Sequence, residues 1–158
     1  MKYNETYIHT RDIDWFCIIN NQYIHVASAG GQIPSQINER DTLRKIQHQV
    51  SEAEYIYSDD EILINTAFLR QKFDNEEKIE DYIKSFKDMA KKGFSSFDRT
   101  NLCDLNDNKY HMVCQPRKPG KCVLEGNDLV ASYNIDIEKM LEITSEIDFI
   151  KLFLDLGE

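Results

Sequence analysis

Two apolar runs rich in Ile, Val and aromatic residues flank Asn20-Asn21 in IDWFCIINNQYIHVASA, residues 13–29. Asparagine tolerates the positive φ that a two-residue hairpin turn requires, so this pattern predicts a β-hairpin. With Asn20 and Asn21 as the turn, Ile19 pairs with Gln22, Cys17 with Ile24 and Trp15 with Val26. Side chains alternate between the faces of a strand, so the turn sorts every other residue too. Ile13, Trp15, Cys17, Ile24 and Val26 fall on a core face. Asp14, Phe16, Ile18, Tyr23, His25 and Ala27 fall on the other. Asp14 and His25 would each need a partner if buried, so that second face is expected to stay partly exposed. Phe16, Tyr23 and His25 are then candidates to line a binding surface.

Downstream the period changes. In residues 38–50 Leu43, Ile46 and Val50 recur at three and four, with Asn38 and Asp41 placed to cap a helix. Residues 58–73, SDDEILINTAFLRQKF, open on a capping-box pattern, Ser58 with Glu61, and read as helix, although EILIN also fits a short strand. Residues 74–93 carry one apolar stripe, Ile79, Tyr82, Ile83, Phe86, Met89 and Ala90. Asp74 stands at its start and Lys91-Lys92-Gly93 at its end. Residues 94–116 read as a second hairpin turning around 106–109. Residues 117–133 suggest a loop and one or two strands, with a turn at Glu125-Gly126-Asn127. The chain then becomes helical, with Asp136 and Ser145 as N-caps, and its last segment is apolar nearly all round, which predicts that it is covered. Strands, helices, strands and helices in blocks predict a single α+β domain over residues 1–158. Its sheet is expected to be mostly antiparallel, built from two hairpins with four or five helices packed on it.

Length and composition agree with one globular domain. A chain of 158 residues with 41% hydrophobic and 30% charged residues can bury a core without staples. The net charge of −9 repels nucleic acid and anionic membrane, so neither is an expected partner; the acidic balance fits an ordinary soluble surface, the commoner case, or a basic protein partner. The most apolar stretch, IDFIKLFLDL, is short and broken by Asp148, Lys151 and Asp155, which argues against a membrane span. The opening MKYNETYIHTRDIDW has no apolar signal region, so a cytoplasmic location is expected, with Cys17, Cys103, Cys114 and Cys122 as reduced thiols.

Four features invite chemistry. Gly30-Gly31 has the look of a phosphate cradle, but lacks the further glycine or Lys-Ser/Thr that such loops use. A sharp exit from a strand, with Pro34 beginning a helix, is the favoured reading. Cys103, His111, Cys114 and Cys122 could supply zinc ligands, yet no pair has the tight spacing of a zinc knuckle, so no metal and no cofactor are expected. His111, Asp98 and Arg99, near Asp14 and His25, are the candidates for acid–base catalysis. Finally, residues 108–124 contain no acid, while Arg117, Lys118 and Lys121 form a basic loop. That loop could bind an anion, but is expected to meet the chain's own acidic residues between 136 and 158. No catalytic motif stands out. The first reading is therefore a non-catalytic binding protein, such as an acidic, immunity-type inhibitor of a basic partner. The alternative is a small enzyme acting on an anionic substrate with His111, Asp98, Arg99 and the basic loop.

Overall fold

The structure is a computed structural model that describes residues 1–156. The first hairpin forms as its turn dictates. Strands β1 (Asp14–Ile19) and β2 (Gln22–Ala27) pair antiparallel, with Ile19 opposite Gln22, Cys17 opposite Ile24 and Trp15 opposite Val26. Asn20 and Asn21 both take positive φ, 51° and 63°, the turn whose twist matches the strands. The remaining strands are β3 (Ile62–Ile64), β4 (Ser95–Arg99), β5 (Lys109–Pro116), β6 (Asn134–Ile135) and β7 (Glu146–Asp148). The helices are α1 (Glu5–His9), α2 (Arg40–Glu52), α3 (Thr66–Lys72), α4 (Glu76–Lys91), α5 (Asp128–Ala131) and α6 (Phe149–Leu156).

These strands make one sheet in the order β3-β5-β4-β2-β1-β6, and β7 also pairs with β5. The sheet is mixed. Both hairpins are antiparallel, but β2 and β4 join them in parallel, and β6 is parallel to β1. Six helices rather than four or five are found among the described residues, and the sheet is less antiparallel than expected. The physical reason is the long excursion through α2, β3, α3 and α4, which returns β4 to the side of β2 pointing the same way. The outer edge of β5 is shared: β3 pairs with its last residues and β7 with its first.

Both faces of the sheet are covered, which explains the unbroken apolar run of β1 from Trp15 to Ile19. On one face Trp15, Cys17, Ile24, Val26, Phe97 and Met112 pack with Ile8 of α1 and with Phe149 and Phe153 of α6. On the other, Phe16 and Ile18 meet Ile46 and Val50 of α2, and Ala27, Val113 and Cys114 meet Ile79, Ile83, Phe86 and Ala90 of α4. The second face of the first hairpin is thus a second core and not a partly exposed surface.

Local corrections have local causes. The helix expected over 58–73 splits. The Ser58–Glu61 capping box closes a single 3₁₀ turn, Ile62–Ile64 then joins the edge of β5, and Asn65 caps α3 instead. Pro34 closes a helical turn whose carbonyl accepts from Ile37 and Asn38, but α2 begins only at Arg40, where Glu39 caps the Asp41 N–H. Asn38 is engaged elsewhere, exchanging two hydrogen bonds with the backbone of Tyr3. Asn75, not Asp74, caps α4. Asn127 caps α5 where strand was expected. No helix starts at Asp136. The helix near the end starts at Phe149, with Asp148 accepting from the Lys151 N–H. Its Phe149 and Phe153 are buried while Leu154 is exposed, so it is covered on one side only.

Candidate functional site

The second hairpin positions its polar residues by strand alternation. Asp98 of β4 lies opposite His111 of β5, so both side chains point to the face that α3 and α4 cover. Tyr82 of α4 reaches them from above. Its hydroxyl donates to the Asp98 carboxylate and lies 3.3 Å from His111 Nε2, while His111 Nδ1 lies 3.1 Å from Thr100 Oγ1. Phe68 of α3 stacks on the His111 ring at 4.1 Å. One proton arrangement satisfies the whole row: Thr100 donates to His111, His111 to Tyr82, and Tyr82 to Asp98, which also accepts the Arg99 N–H at 2.9 Å. Burial, assisted by the Lys72 charge, pushes His111 down to about 4, so the ring is neutral near pH 7. Burial raises the Asp98 carboxyl against the opposing hydrogen bonds from Tyr82 and the Arg99 N–H. Burial and the Asp98 charge also raise the Tyr82 hydroxyl.

The His111 shift has a stability consequence. Between pH 6.5 and about 4 the unfolded chain binds a proton at this position and the folded chain does not. Stability is therefore intact above 6.5 and falls as the pH drops through that window, by at most roughly 3 kcal/mol from this residue. Asp98 acts with the opposite sign, because its raised carboxyl lets the folded state take up a proton first. His111→Gln isolates the histidine. Urea unfolding at pH 7 and pH 5 is expected to show a smaller acid loss in the variant than in the natural chain.

Arg99 does not join this row. Alternation turns it to the opposite face, beside Tyr110, and at 1% exposure it is among the most buried side chains. Its guanidinium donates to three backbone carbonyls: Asp104 at 2.6 Å, Asp107 at 3.3 Å and Ala29 at 3.4 Å. A buried cation thus fastens the 100–108 loop and the exit of β2 from beneath. Within that loop Asp104 accepts the Asn106 N–H and Asp107 accepts the Lys109 N–H. Leu102 and Leu105 project outward at 57% and 55% exposure.

A second row crosses the same covered face. His25 Nε2 lies 2.8 Å from Asp14 Oδ1 and His25 Nδ1 lies 2.6 Å from Ser96 Oγ. The connectivity is Ser–His–Asp, but the serine is fully buried and the carboxylate is the end that meets solvent, so no nucleophile is presented. Burial works to raise the Asp14 carboxyl, but the charge and hydrogen bond of His25 outweigh it and hold Asp14 below its usual range. The expectation that Phe16, Tyr23 and His25 line a surface fails here. Phe16 is 1% and His25 3% exposed, enclosed by α2 and α4 with Phe94 and Phe86 against their rings, and only Tyr23 remains half-buried.

The basic loop is remote from both rows. Arg117 follows His111 by six strand positions, roughly 20 Å along β5. It does not meet the acidic residues after 136, of which Glu158 lies outside the described residues. Instead Arg117 bonds the carbonyls of Asp60 and Glu61, and Tyr57 bonds the Lys118 carbonyl and the Lys121 N–H. The side chains of Arg117, Lys118 and Lys121 remain exposed. The Gly30 and Gly31 N–H groups are already used by the carbonyls of Arg11 and Ser28, which leaves no cradle for phosphate. A Cβ on Gly31 would sit 2.5 Å from the Tyr110 hydroxyl, so close packing requires that glycine. Cys114 and Cys122 are buried in different clusters and Cys103 is exposed in the 100–108 loop.

Sequence reasoning missed Tyr82, Ser96, Thr100 and Phe68. The available signal was Tyr82, because a tyrosine in a buried helical stripe needs a partner for its hydroxyl. No protein-family model matches this chain, and neither a curated protein nor a solved structure was found to match it. No helix among the described residues is long and apolar enough to cross a membrane.

Proposed function

We propose that this chain is a cytoplasmic binding protein without catalysis of its own, and that it docks on a basic protein partner through residues 100–108. The observation that carries the reading is Arg99. Burying a guanidinium without a carboxylate partner is costly, and here its hydrogen bonds hold a loop in shape. That loop presents two exposed leucines beside Asp104 and Asp107 and contains no Lys or Arg. A pre-ordered loop loses little entropy on binding, an apolar pair supplies contact area, and the acids with a net charge of −9 steer a basic partner inward. An acidic inhibitor of a basic protein is the concrete form of this reading, with nucleic acid disfavoured as a partner. The two histidine rows support it, because their members bond to one another beneath α2, α3 and α4 and act as structural pins.

The test uses the double variant Leu102→Ser with Leu105→Ser. Protein retained by the natural chain from extracts of its own cell is purified and titrated against both forms. The variant is expected to melt like the natural chain and to bind at least tenfold more weakly, the loss of a small hot spot, about 1.4 kcal/mol. Equal affinity for the two forms would remove the loop from the interface.

A further inference from the structure

From the opposite wall of the first hairpin we infer a second site, for a small zwitterion with an apolar body, of the class of a free α-amino acid with an aromatic or large aliphatic side chain. A cleft of about 500 Å³ opens between the N-terminal segment and α2, within the usual range for small-ligand pockets. Its accessible apolar surface comes from the half-buried Tyr3, Tyr7 and Met89, with the buried Ile13 and Phe16 beneath them. Tyr3 and Tyr7 stack face to face with centroids 4.4 Å apart, so the pair offers ring edges and the outer face of Tyr3.

The charges lining the cleft are of both signs, which points away from a simple cation or anion. Two are already committed. Arg11 lies over the Tyr7 ring at 4.3 Å, and Asp12 accepts the Ala29 N–H at 2.9 Å. Two are available. Arg44, exposed on α2, makes no ion pair among the described residues. Asp14 is 46% exposed, and its Oδ2 takes no hydrogen bond from the described residues. His48 of α2 also lines the cleft, on the same helix as Arg44.

Asp14 is also held unusually firmly for a half-exposed side chain. Its Oδ1 is tied to His25, His25 is tied to the fully buried Ser96, and its own carbonyl accepts from Gln47 at 2.7 Å. A chain of buried groups thus fixes one carboxylate oxygen and leaves the other to the cleft. An ammonium group satisfies that oxygen, a carboxylate satisfies Arg44, and the half-buried Tyr3, Tyr7 and Met89 take the side chain.

Three probes separate these contributions: L-phenylalanine, phenethylamine, which lacks the carboxylate, and 3-phenylpropionate, which lacks the ammonium. Binding is read by titration calorimetry or by NMR shifts of residues lining the cleft. The natural chain is expected to bind L-phenylalanine at least tenfold more tightly than either half-ligand. Asp14→Asn should reduce L-phenylalanine to the affinity of 3-phenylpropionate. Arg44→Gln, a change on an exposed helical position that leaves folding untouched, should reduce it to that of phenethylamine. Absence of saturable binding of all three probes to the natural chain overturns the site, and so does Arg44→Gln binding L-phenylalanine within twofold of the natural chain.

Discussion

Trp15→Ala is expected to destabilise the domain by about 3–5 kcal/mol, the cost of emptying a large buried aromatic site. Trp15 is completely buried at the centre of the larger core, where it meets Phe149 and Phe153 edge-on at 5.4 and 6.0 Å. Those two phenylalanines belong to α6, so the tryptophan anchors both the first hairpin and the far end of the described chain. Loss of Trp15 therefore leaves a cavity and loosens the helix that roofs it. The indole N–H has no acceptor among the described residues, so Trp15→Phe sacrifices only packing and should cost clearly less than the alanine variant. Chemical denaturation of the three proteins checks both statements. A midpoint that barely moves in the alanine variant would place Trp15 outside the core.

Arg99→Met is expected to cost about 3 kcal/mol and to concentrate the damage in one place. Methionine keeps the apolar stem and removes the guanidinium, whose hydrogen bonds to Ala29, Asp104 and Asp107 are charge-assisted. The three carbonyls then lose their shared donor. The 100–108 loop lies at the surface, so it can find water by opening, and the expected signature is faster amide exchange across that loop at temperatures where β4 and β5 remain protected. Uniform loss of protection over the whole domain would mean that Arg99 supports the core and not the loop.

The sequence made some of this legible for clear reasons. Asn20-Asn21 fixes the hairpin register, because a two-residue turn leaves one pairing, and the α4 stripe is long enough to declare its buried face. The order of strands was not legible. The parallel contact of β2 with β4 depends on a long excursion whose return direction no local pattern encodes. The burial of Phe16 and His25 is not legible in the hairpin alone, where Asp14 and His25 each look unpartnered. Each is the other's partner, and Ser96 from a distant strand completes the row. Asp98 and His111 were brought together as expected for neighbours in a hairpin. Arg99, next to Asp98 in sequence, faces away from both because strand alternation turns consecutive residues to opposite faces. Charge alone pairs the basic loop with acids after 136, whereas the edge pairing of β3 with β5 places 57–61 beside it.

Hydrogen exchange on the chain bound to its captured partner tests the binding reading most directly. Protection gained over residues 100–109, with the basic loop at 117–121 unchanged, is the predicted result. Protection gained over 117–121 while 100–109 exchanges as in the free chain would contradict it.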